Sequence, residues 1–303
     1  MSHFTVGVIC KELNDYEKLL APYQENDMGD CPKEYLEFTS TSKEEKKRYE
    51  NDTTERFVTD DGKYLYTWDS CFKVRIDEEE YEKLKNLKGT KVSSYGWGSK
   101  RKFYKLDYSL LKGEVKEVPY KELCPTFGCF MEEYGDGEFD KEMNDYGYWE
   151  NPNAKWDWYV IGGRWSNNVL LKKNDGRCDF AKLKDINFGV DNKRYVKNIR
   201  FWEIVVEDQP LKDGEERPFN LYKKEYYLER YKDKEDYATR NSKHRTFALI
   251  TPDGKWYEKG QIGLFGFEET TNETIKNYDK NFENIVNKEE YQDYYFVLVD
   301  CHI

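Results

Sequence analysis

Thr246-Phe-Ala-Leu-Ile-Thr251, Lys255-Trp-Tyr-Glu-Lys259 and Tyr294-Tyr-Phe-Val-Leu-Val-Asp-Cys-His-Ile303 are the segments that decide the fold class. The first two flank Asp253-Gly254, a dipeptide favoured in two-residue hairpin loops because both central residues need positive φ. Between that hairpin and the last segment, Ile275, Tyr278, Phe282, Ile285 and Val286 fall at i, i+3, i+7, i+10 and i+11, one face of a helix. Strand, strand, helix, strand without a repeated βαβ rhythm predicts an α+β fold with a mostly antiparallel sheet, hairpins and a few packing helices.

The same signals recur upstream. Phe4, Val6, Val8 and Cys10 alternate with Thr5, Gly7 and Ile9 as an opening strand. Asn14 is placed to cap a short helix that Pro22 ends, and Ser42 with Glu45 is spaced as a capping box for a helix near 43–50. Asp61-Gly62 predicts a second hairpin, and Asp77 opens a helix closed near Gly89. Residues 90–150 read as ordered loops. Asn198–Val206, with Phe201, Ile204, Val205 and Val206, reads as a buried strand, and Phe219–Tyr237 as helical with a break near Asp233. The expected organisation is one large domain, 1–303, with about 28–150 as a candidate insertion or sub-domain. The two end strands are expected to pair antiparallel, which would bring His3 near His302. Asp300, on the same strand face as His302, is then the nearest further candidate ligand for a metal, though no metal site is assigned.

Composition narrows the function classes. The chain has 49 Lys+Arg against 60 Asp+Glu, a formal charge of −11. That balance argues against direct binding of duplex nucleic acid, which needs clustered cations. Tyr 26, Phe 17 and Trp 8 are far more aromatic residues than a disordered chain carries, so a real core is expected. No apolar run approaches the roughly 18 to 20 residues of a membrane helix, and the opening residues lack a signal-peptide pattern, so the expected location is cytoplasmic with no membrane partner. Seven scattered Cys fit reduced thiols. Cys124 and Cys129 have an allowed metal spacing, but no second Cys or His pair lies nearby. No glycine fingerprint for dinucleotides or phosphates, no His-Glu-x-x-His and no nucleophile elbow occurs, so no cofactor is expected and the reading leans against an enzyme.

The least ordinary stretch is Trp156-Asp-Trp-Tyr-Val-Ile-Gly162-Gly163-Arg-Trp165-Ser166. Taken as a hairpin about Gly162-Gly163, it puts Trp156, Trp158 and Trp165 on a core face. Asp157, Tyr159, Arg164 and Ser166 then fall on the other, an inventory suited to a polar or anionic ligand or a partner. Two readings compete: a structural hairpin in which Arg164 meets a carboxylate, or a binding site in which Gly-Gly lets the backbone approach an anion.

This core resembles a family of uncharacterised bacteriophage, prophage and Gram-positive bacterial proteins. Met1-Ser-His-Phe-Thr-Val, Leu20-Ala-Pro-Tyr-Gln-Glu-Asn26, Phe247-Ala-Leu-Ile-Thr-Pro-Asp-Gly254 and Val299-Asp-Cys-His-Ile303 carry the same resemblance. It implies a phage-type accessory protein that binds and inhibits a host antiviral defence protein complex. The alternative is a nucleotide-like small-molecule protein, sequestering or enzymatic, built on residues 156–166. A homo-oligomer is compatible with either.

Overall fold

A computed structural model describes residues 3–173, 176–262, 268, 269 and 271–303. The fold is α+β, with mostly antiparallel sheets. Contacts divide it into two compact units, residues 1–37 with 150–303, and residues 38–149.

The first unit is built on one sheet. Its opening strand, His3–Cys10, lies between the closing strand Tyr295–His302, antiparallel, and Ala248–Ile250, parallel. Ala248–Ile250 continues antiparallel into Trp256–Glu258, while Trp158–Ile161 and Phe180–Lys182 pair antiparallel with the other edge of the closing strand. The expected pairing of the two chain ends is therefore present, with His3 opposite His302 and Cys10 opposite Tyr295.

The central strands are buried on both faces, so their apolar residues run almost continuously. On one face Phe4, Val6, Val8, Ala248, Ile250, Val297, Val299 and Cys301 form a core with Leu20 and Trp156. On the other, Ile9, Leu249, Phe296 and Leu298 receive Tyr278, Phe282, Ile285 and Val286 of the helix Asn272–Val286. That helix has the periodicity read from the sequence, and Thr271 caps it. Each fully buried large side chain contributes about 1.5–3 kcal/mol, which makes this double-sided sheet the main stabilising element of the unit.

Both Asp-Gly loops make hairpins, but with a longer turn than expected. In each, only the glycine has positive φ: Gly62 at 83° and Gly254 at 79°. The glycine N–H donates to the carbonyl of Thr59 or Thr251, and the threonine N–H donates to the carbonyl of Lys63 or Lys255. This is the type I turn with a G1 bulge. The threonine hydroxyls donate to Asp61 (2.6 Å) and Asp253 (2.5 Å), which also pair with Lys63 and Lys255.

Two other sequence expectations are corrected and a third is met. Asn198–Val206 is not a strand but belongs to the helix Asn192–Val205 and its cap; Asp191 accepts from the N–H groups of Lys193 and Arg194, and Trp202, Ile204 and Val205 are buried. Ser42 caps nothing: it is already inside the helix Ser42–Asn51, and its hydroxyl bonds to Asp145. The break at Asp233 is real, since its side chain caps Lys234–Asn241 after Lys224–Arg230 ends.

In the second unit, residues 90–149 hold regular structure rather than loops alone. Gly113–Pro119 and Tyr64–Tyr66 flank Thr53–Thr59, and Lys102–Leu106 joins Lys73–Ile76 to Val92–Tyr95. The helix Phe127–Tyr134 packs Phe130 and Met131 against Tyr120 and Cys124. Burial pushes the Cys124 thiol up to about 12, which suits a core thiol. Among the described residues no helix is long and apolar enough to cross a membrane.

Gly7 faces the helix-covered side, where a Cβ would come within 2.5 Å of the Phe296 ring and 3.2 Å of Leu249. Phe296 is fully buried and cannot retreat. Gly7→Ala should therefore destabilise the protein by about 1–3 kcal/mol, read as a lower urea midpoint at unchanged m-value.

Candidate functional site

The helix-covered face changes character toward the end of the sheet where the chain begins and ends. Beyond Leu298 and Gly7, its next cross-strand row is Val160, Asp300 and Thr5, and the row after that is Trp158, His302 and His3. Alternation alone dictates this, because residues two apart on a strand share a face. An apolar wall thus continues as a row of imidazoles and carboxylates.

Two His–Asp pairs occupy it. His3 Nδ1 lies 2.8 Å from Asp300 Oδ1, and His302 Nδ1 lies 2.7 Å from both carboxylate oxygens of Asp157. A carboxylate only accepts, so each Nδ1 carries the proton and each Nε2 is left as the acceptor of its ring. The rings meet edge to face with centroids 5.0 Å apart, and Trp158 stacks on His302 at 5.1 Å and 18°. Asp300 and His302 are almost fully buried, yet the Nε2 of His302 has no hydrogen-bond partner among the described residues. Trp158 is 46% exposed, so the aromatic face beside the row reaches solvent.

Asp300 is fixed from a second side. Its Oδ2 accepts the backbone N–H of Arg164 at 2.9 Å. Gly163, at φ 49°, makes that approach possible, since a Cβ there would collide with the Asp300 carboxylate. Gly162, at φ 68°, likewise leaves room for Asp179, which accepts from Ser166 Oγ and the Asn167 N–H. The Gly-Gly pair does let a backbone approach anions, and here those anions are the protein's own.

The expected hairpin about Gly162-Gly163 is absent. Trp158–Ile161 pairs with the closing strand, Gly163–Trp165 is a 3-10 turn, and Val169–Leu170 pairs with Arg177–Cys178. The three tryptophans consequently do not share a core face. Trp156 is buried on one side of the sheet, Trp165 packs with the cluster on the other, and Trp158 lies in the His row. Of the four residues singled out from the sequence, Asp157 belongs to a His–Asp pair and Arg164 contributes its main chain. The Arg164 side chain is exposed, without an ion pair among the described residues. Tyr159 faces the opposite core against Trp156 and Tyr16, its phenol pushed up to about 12 chiefly by burial, and Ser166 serves Asp179. The structure does not bring those four together as one site. Trp158, taken for core, is the member whose role the sequence reading missed; only the edge position of its strand could have revealed it.

Among the described residues no group of three or more His, Cys, Asp or Glu side chains could hold a metal ion. Asp300, considered above as a further ligand, is turned toward His3 and the Arg164 N–H instead. Comparison with known protein families, curated proteins and solved structures finds no match to this chain.

A cleft of about 210 Å³ opens on the same sheet face, lined in part by Thr5, Leu298, Trp165, Asn168, Arg194 and His244. His244 is buried, and its Nε2 also lacks a partner among the described residues. Burial, followed by the positive charges of Arg194, Arg245 and Arg177, pushes its imidazole down to about 3.

Gly163→Ala should cost about 1–3 kcal/mol and loosen His3, because strain and a clash fall on Asp300 together. Arg164→Ala should stay within about 0.5 kcal/mol of wild type, since any residue but proline supplies the N–H. Urea melts compare the two. For His244, the unfolded side chain protonates near 6.5 whereas the folded one stays neutral to about 3. Its contribution is complete above about pH 6.5 and is lost as pH falls, at about 1.4 kcal/mol per unit. Between pH 6.5 and 4.5, wild type should lose about 2–3 kcal/mol more stability than His244→Asn, measured by denaturation at both pH values.

Proposed function

We propose that the first unit is a small-molecule protein whose His row binds a polar, nucleotide-like ligand, with the two imidazoles available for proton transfer on it. The observation that carries this reading is the pair of adjacent imidazoles, each oriented through Nδ1 by its own carboxylate, beside an exposed tryptophan. Carboxylate-held histidines with a free Nε2 are the usual groups for general acid and base work, because the second hydrogen bond fixes both tautomer and orientation. An aromatic face next to them gives a base a surface on which to stack. Buried polar atoms normally find partners, and the unpartnered Nε2 of His302 supports a guest that supplies one.

The resemblance to uncharacterised phage, prophage and Gram-positive bacterial proteins supports placing this activity in counter-defence within the host cytoplasm. Withdrawal of a nucleotide signal and blockade of a host defence complex are two routes to that end. The His row favours the first.

The test is a thermal-shift and binding survey of mono-, di- and cyclic nucleotides, with chromatographic recovery of each. A nucleotide that binds should raise the melting temperature by linkage. Trp158→Ala should weaken it at least about five-fold, the low end of a stacking contribution, and His302→Asn should weaken it or abolish its conversion. Recovery unchanged identifies sequestration, and conversion identifies an enzyme. If no nucleotide binds and a stoichiometric host protein is captured instead, the small-molecule reading fails.

A further inference from the structure

The cleft beside the His row has a composition at odds with the rest of the chain. In a protein of net charge −11, it is lined by Arg194, Arg245 and His244 with Asn168, Thr5 and Trp165, and no carboxylate is among its lining residues. The acidic partners of its arginines are outside that lining. Asp191 lies 3.7 Å from Arg194 Nε and Glu283 lies 2.6 Å from an Arg245 Nη, while Asp279 is 3.9 Å from Arg245 Nε. Asn168 Oδ1 accepts from Arg194 at 2.6 Å, which holds the guanidinium at the cleft wall.

Two buried polar atoms among these residues have no hydrogen-bond partner among the described residues, His244 Nε2 and Arg245 Nε. A buried polar group left without a partner keeps the full cost of its lost hydration. A guest with several acceptor oxygens would satisfy both.

We propose that this cleft seats a phosphate-type oxyanion, bound by Arg194, Arg245 and the ring of His244. Thr5 joins it to the His row, because Thr5 stands directly opposite Asp300 in the strand register and two residues from His3. Two residues along a strand is about 7 Å, so a phosphoryl group in the cleft and the remainder of one small ligand against the imidazoles can belong to the same molecule. The identity of that remainder rests on the function proposed above; the oxyanion seat does not.

The probe is inorganic phosphate, added to the full chain and followed by ring nitrogen and proton NMR signals of histidine. The chain has three His, so His244→Gln assigns the relevant ring by difference. Phosphate should move the His244 signals saturably, and acetate at equal ionic strength should not. Arg194→Gln should weaken the phosphate response at least ten-fold. A His244 ring indifferent to phosphate overturns the proposal, as does an equal response to acetate or an unchanged affinity in Arg194→Gln. Should that variant fail to fold, the wild-type titration against phosphate and acetate decides alone. Free phosphate carries no base to stack, so failure here is distinct from failure of nucleotides to bind through Trp158.

Discussion

The antiparallel pairing of His3–Cys10 with Tyr295–His302 is the constraint on which the first unit depends. It joins residues almost the whole chain apart, so its loop-closure entropy must be met before any of its contacts are gained. What meets it is burial on both faces: Val6, Val8, Val297 and Val299 on one, Ile9, Phe296 and Leu298 on the other. The pairing also creates the candidate site, since its register sets His3 directly opposite His302 and Thr5 opposite Asp300. A slip of one residue would turn His302 into the core that holds Cys301 and send Cys301 to the His row.

Asp300 connects that strand pair to the Gly-Gly turn. One carboxylate oxygen holds His3 and the other holds the Arg164 N–H, so a buried charge is shared between an imidazole and a backbone donor. A buried carboxylate is tolerated only when its lone pairs are taken. The two positive-φ glycines follow from that requirement, because a side chain at Gly163 would occupy the carboxylate's place. The unusual sequence around residues 162–164 is thus explained from inside the molecule, through hydrogen-bond satisfaction rather than through the Arg164 guanidinium.

Much of this was legible in the sequence where one physical rule dominates. Alternation in Phe4–Cys10, the apolar face of Ile275–Val286 and the glycines after Asp61 and Asp253 each report a local preference that the tertiary structure keeps. The end-strand pairing followed from the same logic and brought His3 to His302. Reading failed where local signals conflict. Phe201, Ile204, Val205 and Val206 are β-formers, yet Asp191 caps a helix through them, and packing against Tyr227 and Tyr237 outweighs propensity. Gly162-Gly163 has the composition of a hairpin loop, but Asp179 and Asp300 recruit the backbone on its far side, and that choice is made by residues too distant in sequence to be seen from the turn.

The electrostatics explain why the polar end of the sheet is where it is. A helix covers the face as far as Leu298 and Phe296, and the polar groups fall in the last two rows, Thr5 with Asp300 and His3 with His302. Each acid there is matched by an imidazole or a main-chain donor, and the arginines lie beyond Thr5. A cleft with Arg194 and Arg245 in its wall therefore adjoins the row at Thr5. An anionic molecule drawn to the arginines would be presented to the imidazoles by the register of the sheet itself, with no moving part required. The long-range field of an acidic protein opposes such a ligand at a distance, so selectivity would come from the short-range fit of the cleft and the stack on Trp158, which salt screens far less than it screens the net charge.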